Sequence, residues 1–161
     1  MSTYRPNVAF ILRRSDGRIL ICERSDFPGS WQFPQGGTKG GESAIDALHR
    51  EVREEIGLRR RDYQVVETHG PYRYLFADGR NKKGFHGQEQ TYFLGDLVEP
   101  DREIRLEDAE AGEFRDTRWI LPDEFDLAWL APMKAEVYRE VFRDFFGKTL
   151  NTPSERGFPL T

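Results

Sequence analysis

The sequence predicts an α+β domain built in layers, and three observations carry that expectation. Short apolar runs of strand length lie on both sides of a capped amphipathic segment at about 44–56. A second amphipathic segment closes the ordered part of the chain at about 132–146. The 161 residues suffice for one sizeable core and no more, so a single domain is expected over 1–147, followed by a loosely ordered tail at 148–161 that is rich in Pro, Gly, Ser and Thr. Hydrophobic content of 37% against 32% charged residues is that of a soluble globular protein. No apolar run approaches the roughly 20 residues of a membrane span. The N-terminal MSTYRPN lacks a signal-peptide pattern, and the lone Cys22 excludes an internal disulfide, so a reducing cytoplasm is the expected setting. A formal charge of −4 argues against a broad nucleic-acid-binding face while leaving local basic patches open.

Taken in order, Val8 to Leu12 and Ile19 to Cys22 read as strands, and the Asp16-Gly17 step between them favours a hairpin. Ser25 to Ser30 is a turn cluster. The short extended piece Trp31-Gln32-Phe33-Pro34 follows, and its proline places it at an edge or bulge. After a glycine loop comes the first helix, then strands at Gln64 to Thr68 and Tyr72 to Phe76 separated by His69-Gly70-Pro71. Ala77 to Gly87 is a polar loop expected to be mobile, carrying Arg80, Lys82 and Lys83. Gln90 to Val98 is a strand, Glu99 to Gly112 an acidic loop, and Phe114 to Leu121 the last strand. In the closing helix Met133, Val137, Val141 and Phe145 repeat at i+4, which is the spacing of a core-packing face.

The first helix has the strongest local signals. Ser43 is placed to cap it, with Asp46 completing a capping-box-like pair, and Gly57 stands where a left-handed residue would end it. At ~100° per residue, Ile45, Leu48, Val52 and Ile56 form one stripe, expected to be buried. Glu51, Glu54 and Glu55 form a neighbouring stripe. Three carboxylates on one patch repel each other, and in the last turns they also face the negative end of the helix dipole. A divalent cation relieves both penalties, and oxygen-only ligands select a hard ion, Mg²⁺ or Mn²⁺. Arg50, four residues before Glu54, can hold that carboxylate, and the small Ala44 and Ala47 leave room for the glycine loop to fold back.

The spacing Gly36, five residues, Glu42, seven residues, then Arg50-Glu51-Val52-x-Glu54-Glu55-x-Gly57-Leu58 resembles a complete Nudix box. Further segments resemble the RNA pyrophosphohydrolase and diadenosine polyphosphate hydrolase branch of that family. They are Tyr4-Arg5-Pro6-Asn7-Val8, Trp31 to Gly37, Gly87-Gln88-Glu89-Gln90, Glu113-Phe114 before Arg118-Trp119, and Lys134 with Val137-Tyr138. Met133 departs from the branch, where an aromatic often stands, and so does the long acidic segment at 99–112.

The resemblance implies an α/β/α sandwich around a mixed sheet and a metal-dependent pyrophosphohydrolase acting on 5′-triphosphorylated RNA ends or dinucleoside polyphosphates such as diadenosine tetraphosphate. In such an enzyme Glu51, Glu54 and Glu55 would hold the ion with a backbone carbonyl of Gln35 or Gly36. Glu113 matches the position of a general base, and Glu54 is the other candidate. Arg24, Lys134 and the Arg80, Lys82, Lys83 loop are the cations expected at the phosphates, and Tyr74 or Tyr72 could stack on a base. No histidine receives a role, with His49 expected on the solvated side of the helix. No protein partner is implied. A nucleoside-triphosphate hydrolase is the enzymatic alternative, and a nucleotide-binding sensor the non-catalytic one. The intact carboxylate set counts against the sensor.

Overall fold

The computed structural model describes residues 3–79 and 83–150. Strand β1, Tyr4–Arg13, is central. It runs parallel to β6, Gly87–Leu97, over ten register pairs from Tyr4↔Gly87 to Arg13↔Asp96. Every other pairing is antiparallel, which makes the sheet mixed. β5, Tyr63–Leu75, lies on the outer edge of β6. On the other side β2, Ile19–Arg24, joins β1 through the register pair Arg13↔Ile19 and carries β7, Phe114–Ile120, and β3, Trp31–Gln32. Farther along β1, β4, Gln35–Gly37, takes the place beside it, with Val8 opposite Gly36. Pro34, which has no N–H to give a ladder, sits where the chain passes from β2 to β1.

The period-2 alternation of β1 and β2 sorts the core into two layers. Val8, Phe10, Leu12, Leu20 and Cys22 face helix α1, Ala44–Ile56, and meet its Ala47, Leu48, Val52 and Ile56. Ala9, Ile11, Ile19 and Ile21 face helix α2, Ala135–Phe146, and meet Val137, Tyr138, Val141, Phe142 and Phe145. Each Val, Leu, Ile or Phe among them contributes roughly 1.5–3 kcal/mol on full burial. The result is the α/β/α sandwich, and among the described residues no helix is long and apolar enough to cross a membrane.

Several elements differ from the sequence expectation for physical reasons. The two strands expected around His69-Gly70-Pro71 are one, because β5 absorbs that segment as a register shift between His69 and Tyr72. The segment after Pro34, expected as loop, pairs with β1 as β4. Ile45 is 38% exposed, whereas Ala47 is fully buried, so the buried stripe of α1 is rotated toward the carboxylates and takes Glu55 into it. Asp46 does not complete the capping box. Ser43 Oγ accepts from Asp46 N–H at 3.2 Å, but the Asp46 carboxylate binds Arg60 at 3.1 Å. The first turn of the closing helix, Pro132–Lys134, is 3₁₀, and of the expected tail Leu150 is buried in the α2 layer.

Candidate active site

β4 and α1 together build the acidic wall of a cleft. Gly36 faces the helix so closely that a Cβ there would lie 2.0 Å from the Glu51 carboxyl carbon, so a side chain at this point would force the carboxylate to shift. Next in the strand, Gln35 N–H donates to Glu55 Oε2 at 3.0 Å. Gly57, at φ +73°, ends α1 in the left-handed region, as its position predicts.

Arg50 is the hub of this wall. Its guanidinium donates to Glu42 at 2.8 and 2.9 Å, to Glu51 at 2.8 Å, to Glu54 at 3.2 Å and to the Gly37 carbonyl at 2.9 Å. The predicted Arg50–Glu54 pair is therefore present as part of a larger clamp. Beside Arg50 the Glu42 carboxyl is held down to about 2. Glu55 behaves oppositely. It is 5% exposed, and burial followed by repulsion from Glu51, Glu113 and Glu54 pushes it well above the usual carboxylate range, against the Gln35 N–H. Burial also raises Glu51, outweighing the neighbouring Arg50.

The cleft, about 420 Å³, is lined by Glu51, Glu54, Glu55 and Glu113 together with Arg5, Arg24 and Lys134. Gln35, Gly36, Tyr74, Phe76, Gln88 and Met133 also line it. Glu113 enters just before β7, its carbonyl accepting from Ser25 N–H at 2.9 Å. Its carboxylate forms no hydrogen bond or ion pair with the described residues. The preceding loop is pinned to the helix, since Ala111 N–H donates to the Glu54 carbonyl at 2.9 Å. Lys134 is 6% exposed and its Nζ donates to Gln32 Oε1 at 2.9 Å; burial, then repulsion from Arg24, brings it down to about 8. Arg24 binds Asp26 at 2.7 Å and lies over the Phe27 ring at 4.9 Å.

Not every predicted residue joins this lining. Lys83 is exposed and outside it, while Arg80 and Lys82 lie outside the described residues. Tyr74 reaches the cleft, but at 7% exposure its ring offers little face for stacking, and its hydroxyl accepts from Gln88 Nε2 at 3.2 Å. Tyr72 is buried and donates to Asp144 at 2.7 Å, so it serves the α2 layer. His49 is half-buried against Tyr63, with 2.6 Å between Nδ1 and the hydroxyl, which corrects the solvated placement. Arg5 and Gln88 are members that residue-by-residue reading misses. The available signal is that Arg5 and Asn7 are polar at alternate positions just ahead of the apolar run Val8 to Leu12, which marks one face of β1 as leaving the core at that end.

The site holds an all-oxygen donor set suited to a hard cation. Among the described residues no three acidic, His or Cys side chains converge on one point in ligand geometry, because Glu51 and Glu54 lean on Arg50 and Glu55 on β4.

A mixed-sheet sandwich presenting a glycine strand against a capped acidic helix is the arrangement that the Nudix resemblance implies. A model of the NUDIX domain matches residues 3–145, and the chain belongs to the Nudix family of hydrolases. It is similar to the RNA pyrophosphohydrolase of Sodalis glossinidius (strain morsitans), 36% identical over 149 residues that cover 89% of this chain and 84% of the relative. It is likewise similar to the RNA pyrophosphohydrolase of Escherichia coli (strain K12 / DH10B), 35% identical over 159 residues, 93% of this chain and 89% of the relative. Among solved structures, the E. coli dihydroneopterin triphosphate pyrophosphohydrolase superposes with a TM-score of 0.65 at 22% identity, covering 89% of this chain and 97% of that one, which shows the shared fold.

Proposed function

We propose that the protein is a pyrophosphohydrolase of 5′-triphosphorylated RNA ends. The observation that carries this reading is the cleft itself, where four carboxylates and three cations line one open groove. A chain of phosphates needs both, since its charge must be neutralised and its repulsion from an attacking water overcome. Relatives named RNA pyrophosphohydrolase, matched over most of their length, support RNA as the substrate.

Nudix hydrolases generally use divalent metal ions. Glu51, Glu54 and Glu55, with the Gln35 or Gly36 carbonyl, would hold Mg²⁺ or Mn²⁺. When bound, the ion supplies charge neutralisation at the phosphates. Arg50 fixes the helix carboxylates against Glu42 and β4. Glu113 takes the proton from a water whose oxygen bonds to phosphorus as the anhydride P–O bond breaks, releasing phosphate or pyrophosphate and shortening the 5′ end. Its carboxylate is not tied up by another group, unlike that of Glu54, which favours Glu113 as base. Arg24 and Lys134 meet the phosphates, and the Tyr74 hydroxyl can add a hydrogen bond. Lys83 has no place in this scheme. The buried single thiol of Cys22 suits a reducing cytoplasm.

Product chromatography after incubation with triphosphorylated RNA, diadenosine tetraphosphate or a nucleoside triphosphate tests the reading. RNA bearing a 5′-monophosphate is the expected principal product. Efficient cleavage of diadenosine tetraphosphate with inert RNA would replace it by the dinucleotide reading.

A further inference from the structure

A second concavity lies beside α1, on the side away from the sheet. It is a hollow of about 400 Å³ lined by Arg50, Arg53, Arg59, Arg60 and Arg61 with Asp46 the one carboxylate. On a chain of formal charge −4 this reverses the overall sign. Arg50 is committed to Glu42, Glu51 and Glu54, but the charges that answer the other four are weak. Arg60 meets Asp46 at 3.1 Å and Arg53 meets Glu110 at 3.7 Å, both pairs exposed and worth little in water. Arg59 and Arg61 form no ion pair with the described residues.

The arginines are presented from ordered backbone. The 3₁₀ turn Arg60–Asp62 is closed by the Asp62 carboxylate accepting from Arg59 N–H at 2.7 Å, and the Asp62 carbonyl accepts from Val98 N–H at 3.0 Å. The hollow neighbours the cleft through Arg50, which lines the hollow and binds Glu51 and Glu54 of the cleft lining. No exposed aromatic ring stands in the hollow to stack a base, the His49 ring being held against Tyr63. Guanidinium forks match phosphate oxygens, and contacts to phosphate position a nucleic acid without reading its sequence.

Resting on the RNA reading above, we propose that this hollow binds backbone phosphates of the RNA chain downstream of the 5′ end held in the cleft, lowering KM for long substrates irrespective of sequence. An acidic protein segment would fit the charge but would not account for the neighbouring cleft.

The test compares a 5′-triphosphorylated RNA of roughly 20 nucleotides with a 5′-triphosphorylated dinucleotide, in the wild type and in the Arg59→Ala/Arg61→Ala double variant. Both side chains are exposed and form no ion pair with the described residues, so folding is expected to be intact, and circular dichroism checks it. The double variant should raise KM for the long RNA about tenfold, with kcat unchanged and dinucleotide KM within about twofold. The dependence of log KM on log salt should flatten by about 1.4, at ~0.7 per lost phosphate contact to single-stranded RNA. Arg59→Lys/Arg61→Lys should restore most of the loss. Equal KM values for long RNA in wild type and double variant, or equal losses on both substrates, would overturn the proposal. Failure of the wild type to hydrolyse either RNA would instead remove the substrate reading on which it rests.

Discussion

Arg50 is the residue through which the acidic wall is organised, since it touches Glu42, Glu51, Glu54 and the β4 backbone at once. Replacing Glu54 by Gln keeps the shape of that contact and removes one negative charge. Glu54→Gln should therefore lower kcat by ~10² or more with the melting temperature little changed; an unfolded variant would reassign Glu54 to structure. Glu113 hangs outside the clamp, so Glu113→Ala should cost ~10²–10⁴ in kcat while KM stays within a few-fold. A loss below about tenfold would hand the base to Glu54. Lys134 gives a pH prediction whose sign can be worked out. Its folded-state value of about 8 lies below the ordinary 10.5. The fold thus disfavours the charged form at all pH below about 8, and stability is regained as pH rises between the two values. Phosphate binding needs the opposite, the charged form, so KM should climb as pH passes about 8. Lys134→Met should flatten that alkaline rise, raise KM at neutral pH and stabilise the apo protein. A KM profile unchanged by the substitution would place Lys134 outside phosphate binding.

At the scale of elements, the site depends on how closely β4 approaches α1. A Cβ on Gly36 would lie 2.0 Å from the Glu51 carboxyl carbon, and the obstacle is a side-chain end that can swing aside. Gly36→Ala should therefore fold, displace Glu51, and lower kcat and divalent-ion affinity together; wild-type ion affinity measured by titration would contradict this account of the glycine. The helix was legible from sequence because its signals are local: a cap at Ser43, a left-handed stop at Gly57, and a 3.6-residue period between. The β1–β2 turn was legible for the same reason, with Gly17 at φ +86°. What escaped needs partners far along the chain. Arg5 and Gln88 face each other across the parallel β1–β6 ladder, and Asn7 accepts from Gln90 Nε2 at 2.9 Å across 83 residues. The His49–Tyr63 contact and the exposure of Ile45 follow from where α1 docks, which its own period does not specify. The Gly70-Pro71 signal that argued for a break marks instead a register shift within one strand, because β5 pairs with β6 on both sides of it.

For the whole molecule, the acidic wall is a cost that the two core layers offset. Glu55 is buried beneath β4, and Glu51, Glu54 and Glu113 repel it, which is why its proton is held well above the usual carboxylate range. Unfolding separates these groups and hydrates them, so the repulsion belongs to the native state alone. Two consequences can be measured on the same protein. Glu55→Gln keeps an acceptor for the Gln35 N–H while removing the charge, so without divalent ions it should melt at a higher temperature than the wild type. A cation that binds the folded state selectively should stabilise the wild type through mass action, by about 2.7 kcal/mol at a hundredfold excess over Kd. For a chain of this size that corresponds to a rise of roughly 5–10 °C in Tm. Glu55→Gln should lose most of the rise, because it keeps the packing and lacks the charge. Calorimetry of both proteins with Mg²⁺, with Mn²⁺ and with chelator decides the matter. If the ion leaves the wild-type Tm unmoved, or lifts both proteins equally, then the carboxylates of α1 are not the place where it binds.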